Sequence, residues 1–282
     1  MNSILLVAET GSDLTPELAA EYGVTLVPMH VSFGGQTRDD GAFPVSEMFE
    51  HYAKTRDLPR TSGCTPHDFE VVFDRLQSEH PGVPILHLAY SACTTCSMQS
   101  AIIAAEGREN IVSLDTKSVT AGQAGIVIAV ARFLREHPEA TMEQAVEKAK
   151  SLIARMHMGF FPGDLDYLRA GGRVSNAAYL GAKLLSLHPL IEISDGKLLS
   201  TKKYRGAMGK VIAKMADEYT EPLDCTEPLY LIYGEGLEER IMRDVERIVA
   251  QKGFDDYTWV KTGCVIAAHS GPGAFGVAGF GR

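Results

Sequence analysis

The first half of the chain alternates short, nearly continuous apolar runs with amphipathic stretches. Runs rich in Val, Ile and Leu, without a polar residue at every second position, are typical of strands buried on both faces of a sheet. The stretches between them carry apolar residues at helical spacing. The predicted strands are Ile4–Glu9, Val24–Phe33, Pro84–Tyr90 and Asn110–Thr116.

The predicted helices have recognisable start and stop signals. Thr15 precedes a proline, which is the order of an N-cap and a first helical residue, and Gly23 ends that helix. Thr65 begins a second helix in the same way, and Thr141 and Gln144 have the spacing of a capping box. Strands that alternate with helices in this manner favour a parallel sheet covered by helices.

The second half has a different pattern. Asp195-Gly196 separates Pro189–Ser194 from Lys197–Tyr204 and predicts a hairpin, because this dipeptide suits the positive φ angles of a type I′ turn. Further predicted elements are helices at Met208–Tyr219 and Leu237–Gln251 and strands at Leu229–Tyr233, Tyr257–Val260 and Cys264–Ala268. We therefore predict an α/β protein with a parallel α/β/α domain at residues 1–158 and an α+β domain, largely antiparallel, at residues 159–282.

Composition and charge narrow the function classes. The chain has 282 residues, is 45% hydrophobic and has a formal net charge of −9, which argues against broad binding to nucleic acid or anionic membrane. At most a transient membrane contact is expected, since Ile126–Ala131 is the longest apolar run. The N-terminus does not look like a signal peptide, and the five cysteines do not suggest a disulfide framework. We expect a reduced, cytoplasmic protein.

Hydroxyl side chains concentrate in loops that follow the predicted parallel strands. These segments are Thr10–Asp13, Ser91–Ser97 and Asp115–Ser118, together with the pair Thr61-Ser62. Hydroxyls and helix N-terminal N–H groups can hold a carboxylate or phosphate. A single Ser or Thr in such a loop is more commonly a helix cap, so only their concentration at one sheet edge favours a binding site.

Several familiar binding and catalytic motifs are absent or are not supported by the sequence around them. Gly271–Gly276 fits G-x-G-x-x-G, but only six residues follow it, too few for the rest of a dinucleotide-binding fold. The chain contains no P-loop, and its nine histidines do not have metal-ligand spacing, so no metal or cofactor is expected. Cys93 and Cys96 form one C-x-x-C, which leaves a thiol redox function as an alternative.

Two further segments contain candidate functional residues. His269 lies between an apolar run and a glycine-rich segment, so it is equally consistent with a ligand contact and with a hydrogen-bonded core histidine. Leu165–Arg173 predicts a short helix, a glycine C-cap and an exposed Arg173. From the residues alone, the chain is an α/β protein that binds a small anionic or polar ligand.

Five stretches, in order along nearly the whole chain, carry a family resemblance. They are Thr10–Leu18, Val27–Gly41, Arg60–Phe69, Asp164–Arg173 and Ala268–Phe275. With these stretches the chain resembles the DegV family, bacterial fatty-acid-binding proteins that serve as the carrier subunit of fatty acid kinase. The resemblance implies a two-domain DegV-like fold that buries one long-chain fatty acid. It also implies that a separate ATP-dependent kinase converts the presented carboxylate to an acyl-phosphate, so the carrier has no catalytic residue of its own.

The resemblance also implies site residues. The fatty-acid carboxylate would be held by hydroxyls and a histidine, and Arg173 would lie near the mouth and the partner surface. The implied carboxylate-binding residues are Thr61, Ser62, Ser91 and His269, with Thr94 and Thr95 in support. Ala92, Cys96 and the pair Glu9-Thr10 depart from the usual family pattern. An autonomous enzyme, either a thiol redox protein or an acyl transferase, and a lipid-responsive interaction protein remain the alternatives.

Overall fold

The structure, a computed structural model, describes residues 4–174 and 187–282. In chain order the first part contains β1 (Leu5–Glu9), a 3₁₀ turn (Thr10–Ser12), α1 (Pro16–Tyr22), β2 (Val24–Val27), β3 (His30–Phe33), β4 (Gln36–Asp39), α2 (Val45–Thr55), β5 (Arg60–Ser62), α3 (Pro66–Glu79), β6 (Ile85–Ala89), α4 (Ser97–Ala104), β7 (Ile111–Asp115), α5 (Thr120–Glu136), α6 (Met142–Arg155), β8 (Met156–Phe161) and α7 (Leu165–Gly171). The second part contains β9 (Leu187–Ser194), β10 (Lys197–Arg205), α8 (Met208–Tyr219), β11 (Leu229–Tyr233), α9 (Glu239–Gln251), β12 (Tyr257–Lys261), α10 (Cys264–Ser270) and β13 (Phe275–Phe280).

The first sheet is parallel and has the strand order β2-β1-β6-β7. Every residue of β6 is buried, as its continuous apolar sequence predicts. The helix signals are also confirmed: Thr15 and Thr65 cap α1 and α3, and Thr141 forms a capping box with Gln144 at the start of α6. The parallel α/β part of the predicted fold is therefore confirmed.

The second sheet has the order β10-β9-β8-β13-β11-β12, and all its neighbouring pairs are antiparallel except β11–β12. Asp195 and Gly196 join β9 to β10 with φ angles of 46° and 78°, as expected for a type I′ turn. α8 and α9 pack on this sheet through an apolar cluster that includes Met215, Val245 and Phe275. The largely antiparallel second sheet is thus confirmed.

The helix α5 packs against both sheets and is mostly buried for that reason. It contains the apolar run Ile126–Ala131. Gly125 allows the close approach to the second sheet, because a Cβ atom there would lie 2.7 Å from the ring of Tyr230 and 3.1 Å from Met156. The core consequently continues from one sheet to the other.

The predicted strand Val24–Phe33 is in fact two strands that belong to different sheets. β2 pairs with β1, whereas β3 lies in a small antiparallel sheet of order β4-β3-β5. Pro28 stands between them, and proline has no N–H to donate to a ladder. The prediction of one strand was wrong because it ignored this residue.

The predicted strand Cys264–Ala268 is also wrong, since these residues form the helix α10. A short apolar run does not distinguish a strand from a buried helix. The N–H groups at the start of α10 are satisfied by Asp13 and Asp40, which lie more than two hundred residues earlier in the chain. Local sequence could not show these caps.

The boundary between residues 158 and 159 stays a prediction, and it falls inside β8, which pairs wholly within the second sheet. Among the described residues, no helix combines the length and apolar character needed to cross a membrane.

Candidate functional site

A cavity of about 750 Å³, counting its open mouth, lies among the three sheets and α10. Most of its wall is apolar and comes from elements of both halves of the chain. The main apolar contributors are Met29, Tyr90, Met158, Phe160, Leu198 and Ile232.

Five of the six predicted carboxylate-binding residues line this cavity. We call them the polar cluster: Thr61, Ser62, Thr94, Thr95 and His269. The first two lie on the edge strand β5, the next two in the loop between β6 and α4, and the histidine in the last turn of α10. Residues from three distant parts of the sequence are thus brought to one wall.

Thr61 and His269 make the central contact of the polar cluster. The Oγ1 atom of Thr61 and the Nε2 atom of His269 are 2.7 Å apart and form a hydrogen bond. The loop of Thr95 approaches β5 closely because Gly63 has no side chain; a Cβ atom there would lie 2.3 Å from Thr95 Oγ1. Thr94 and Thr95 already bond within their own loop, to the Ser91 carbonyl and the Ser97 hydroxyl. These two bonds are typical of loop and cap hydroxyls.

The imidazole of His269 is held in its neutral form. Burial and the nearby guanidinium of Arg173 lower the pKa of His269 to about 4. Its Nδ1 atom is buried and has no hydrogen-bond partner among the described residues. This atom faces Gly171, where a Cβ would lie only 2.1 Å away. The helix α7 therefore needs glycine at this position to leave room for the ring.

Arg173 follows α7 and lines the cavity while remaining exposed. Gly172, with a φ of 65°, ends the helix as predicted, and the Arg173 guanidinium donates a hydrogen bond of 2.7 Å to the Gly171 carbonyl. This geometry places a cation on the cavity wall next to the polar cluster. Arg173 and His269 line the same cavity, and the charge of Arg173 is one of the two causes that lower the pKa of His269.

Ser91 does not line the cavity, unlike the other five predicted residues. It is buried, and its hydroxyl donates a 2.6 Å hydrogen bond to the Gly196 carbonyl at the tip of the β9–β10 hairpin. Lys117 forms an ion pair with Asp195 at the same tip. Ser91 therefore ties the hairpin to the first sheet, a role that its loop sequence did not predict.

The match to known proteins extends over almost the whole chain. A family model described as the DegV family matches residues 3–281. The chain belongs to the DegV family. A DegV domain-containing protein of Deinococcus radiodurans is 30% identical over 283 residues, which cover 98% of each chain. The family prediction from the sequence is confirmed.

Solved DegV structures share the fold. A DegV family protein from Thermus thermophilus, described for its fatty-acid binding, has a TM-score of 0.86 at 24% identity, with all of both chains covered. A stearic-acid-binding protein from Eubacterium ventriosum has a TM-score of 0.83 at 25% identity, covering 99% of this chain and 97% of the other. The two-domain α/β DegV fold of this chain is thereby shown.

The three departures from the DegV pattern lie outside the polar cluster. Glu9 is fully buried and accepts hydrogen bonds from the Tyr90 backbone at 2.8 Å and the Gln123 amide at 2.9 Å. Burial alone would raise the pKa of Glu9, but His87 and these donors hold it below its ordinary value. Ala92 and Cys96 are exposed.

The cysteines of the C-x-x-C stretch are free and exposed in this DegV fold. The Cys93 thiol contacts the Asp195 carbonyl at 3.7 Å, so it takes part in the hairpin contact. In the ranges 4–174 and 187–282, His, Cys, Asp and Glu side chains do not gather in threes or more in a way that could hold a metal ion.

Three cavity-lining hydroxyl residues of this DegV protein were missed by sequence reasoning: Thr120, Thr262 and Ser270. Ser270 follows His269 at the end of α10, and Thr262 lies two residues before that helix begins. The predicted strand Cys264–Ala268 gave no reason to place Thr262 and Ser270 in one cavity with His269. Thr120 begins α5 with a φ of 43°, which the sequence did not indicate.

Two buried carboxyl groups position α10, the helix that carries His269. Asp13 accepts a 2.8 Å hydrogen bond from Gly263 N–H, and Asp40 accepts one of 2.9 Å from Cys264 N–H. Burial raises the pKa of Asp13 well above its ordinary value and also raises that of Asp40. Both come from the first half of the chain, so the two halves meet at the start of α10.

Proposed function

We propose that this protein binds one long-chain fatty acid, with the acyl chain in the cavity and the carboxylate at the polar cluster. The observation that carries the proposal is the Thr61–His269 hydrogen bond at the wall of a largely apolar cavity. The solved DegV proteins described as fatty-acid-binding support it.

The energetics of such a ligand suit the cavity. Each buried CH₂ group contributes about 0.8 kcal/mol, so a long chain supplies a large driving force without polar recognition along its length. The carboxylate, in contrast, must keep hydrogen-bond donors when it leaves water. The hydroxyls of Thr61 and Ser62 can provide them. An anion beside His269 would also oppose the effect of Arg173 and favour protonation of the imidazole.

Native mass spectrometry of the purified protein, followed by calorimetric titration with palmitate, tests this proposal. A bound mass of one fatty acid and a one-to-one titration are expected. Thr61→Val should weaken palmitate binding by about tenfold or more, because a hydrogen bond to a charged group is lost. Thr258→Val, the same change at an exposed position of β12, is the matched control and should bind like the wild type. An empty protein that does not bind palmitate would contradict the proposal.

We further propose that the bound carboxylate is presented to a separate ATP-dependent fatty acid kinase. In that reaction a carboxylate oxygen attacks the γ-phosphorus of ATP, ADP leaves, and an acyl-phosphate forms. The family resemblance and the exposed Arg173 at the cavity wall support this role. The use of ATP also implies a cytoplasmic location.

Reconstitution with a fatty acid kinase and ATP tests the second proposal. The wild type loaded with palmitate should form acyl-phosphate, detected as a hydroxamate after trapping with hydroxylamine. Arg173→Gln should retain most palmitate binding and lose most of the phosphate transfer. If transfer is unchanged in this variant, Arg173 does not contribute to the partner surface; if the wild type gives none with an active kinase, the carrier role is wrong.

A further inference from the structure

The cavity wall formed by α10 and the segment just before it is polar at both ends and apolar in the middle. Val265, Ile266, His269 and Ser270 line the cavity from one face of α10, and Thr262 lines it from two residues before the helix begins at Cys264. His269 and Ser270 belong to the end near Thr61. Thr262 lies at the opposite end, and the two aliphatic residues separate it from the polar cluster.

The hydroxyl of Thr262 is buried and unsatisfied. The residue is 2% exposed, and its Oγ1 atom has no hydrogen-bond partner among the described residues. Thr120 also lines the cavity and lies near it: its hydroxyl donates to Asp13, whose other carboxyl oxygen accepts from Gly263 N–H. The Thr120 oxygen retains the capacity to accept a hydrogen bond. One free hydroxyl and one available acceptor thus lie on the same part of the wall.

A threonine at this position is unfavourable for a plain hydrocarbon ligand. Valine has nearly the same shape, and the neighbouring positions of the same face, Val265 and Ile266, are aliphatic. Buried hydroxyls in proteins are nearly always hydrogen-bonded, and an unsatisfied one destabilises the fold. A polar atom of the ligand would satisfy Thr262.

The distance from the polar cluster determines where that atom lies on the ligand. Thr262 and His269 are seven residues apart. Five of these steps lie in α10 at about 1.5 Å per residue and two lie in extended backbone at up to about 3.3 Å per residue, so the two residues are roughly 8–14 Å apart. An extended chain covers about 3.6 Å in three bonds, so this distance corresponds to about seven to eleven bonds. The group on the ligand would be attached between about the eighth and the twelfth carbon.

We infer that the cavity accepts fatty acids that carry a hydroxyl or keto oxygen near the middle of the chain, with Thr262 as the hydrogen-bond partner of that oxygen. This inference rests on the proposed fatty-acid binding. It adds a second recognition point, which would distinguish oxygenated from plain acyl chains.

Calorimetric titration of the wild-type protein with octadecanoic acid and with its 3-hydroxy, 10-hydroxy and 16-hydroxy derivatives tests the inference without any variant. The 10-hydroxy acid should bind about threefold to tenfold more tightly than octadecanoic acid, the range for one net hydrogen bond. The 3-hydroxy and 16-hydroxy acids should bind more weakly than the 10-hydroxy acid. In Thr262→Val the preference, measured as the ratio of the affinities for the 10-hydroxy acid and octadecanoic acid, should disappear, and Thr258→Val should keep that ratio.

The outcomes separate this inference from the proposed function. If octadecanoic acid binds and the 10-hydroxy acid binds no better, the Thr262 hydroxyl is satisfied by water and the inference is overturned, while fatty-acid binding stands. The inference is also overturned if the preference survives in Thr262→Val. If neither acid binds, the proposed function fails and the inference fails with it.

Discussion

The pKa of His269 makes a quantitative prediction about stability and pH. Burial and Arg173 lower this pKa from an ordinary value of 6.5 to about 4 in the folded protein. As the pH falls through 6.5, the unfolded chain takes up a proton at this residue, but the native protein does not until about pH 4. The contribution of His269 to the free energy of unfolding should therefore be fully present above pH 6.5 and should decrease as the pH falls towards 4.

The size of the effect follows from the two pKa values. A difference of about 2.5 pKa units corresponds to at most about 3 kcal/mol once both states are protonated. Between pH 7.5 and pH 5 the loss should be about 2 kcal/mol. Carboxyl groups such as Asp13 also change stability with pH, but they do so equally in a protein that lacks only the imidazole. The comparison with His269→Gln therefore isolates the histidine.

Urea unfolding of both proteins at pH 7.5 and pH 5, after removal of any bound fatty acid, measures this difference. Wild type should lose about 2 kcal/mol more than His269→Gln over the same interval, and the NMR titration of the His269 ring should give a pKa near 4. Arg173→Gln should raise the ring pKa and reduce the difference, because one of its two causes is removed. Equal pH dependence in wild type and His269→Gln, or a ring that titrates near 6.5, would refute the reasoning.

Three further substitutions test individual contacts. Gly171→Ala should displace the His269 ring and weaken palmitate binding by tenfold or more, as measured by calorimetry, because the new Cβ would lie 2.1 Å from Nδ1. Ser91→Ala should lower the free energy of unfolding by about 1 kcal/mol, because the hydrogen bond to Gly196 is lost. Palmitate affinity should stay within about twofold of the wild type. A large loss of affinity with unchanged stability would show that Ser91 binds the carboxylate. Asp40→Ala should lower the free energy of unfolding in urea by about 1–3 kcal/mol, because two N–H groups of α10 lose their acceptor; an unchanged value would contradict its anchoring role.

Elements with local start and stop signals could be predicted from the sequence. The caps Thr15, Thr65 and Thr141 and the Asp195-Gly196 turn all have the predicted structures. Their determinants lie within a few residues, so a local pattern contains the necessary information. The same is true of α8, whose predicted and observed bounds agree.

Elements whose stability depends on distant residues could not be predicted. α10 is stabilised by Asp13 and Asp40, and its own sequence is only a short apolar run. The same limit applies to Ser91, which has the local sequence of a binding-loop serine but contacts the hairpin at Gly196. Local patterns therefore located most of the polar cluster, whereas the partner of each hydroxyl required the fold.

The position of α10 explains why the candidate site needs both halves of the chain. Its first N–H groups bond to carboxyl groups from the first half, and its last turn bonds through His269 to Thr61, again from the first half. α10 itself follows β12 of the second sheet. Because the two ends of one short helix are held by the same partner, a change at Asp40 should move His269 as well as loosen the helix start. The carboxylate-binding geometry and the contact between the halves are thus parts of one structural unit, and ligand binding should stabilise that contact.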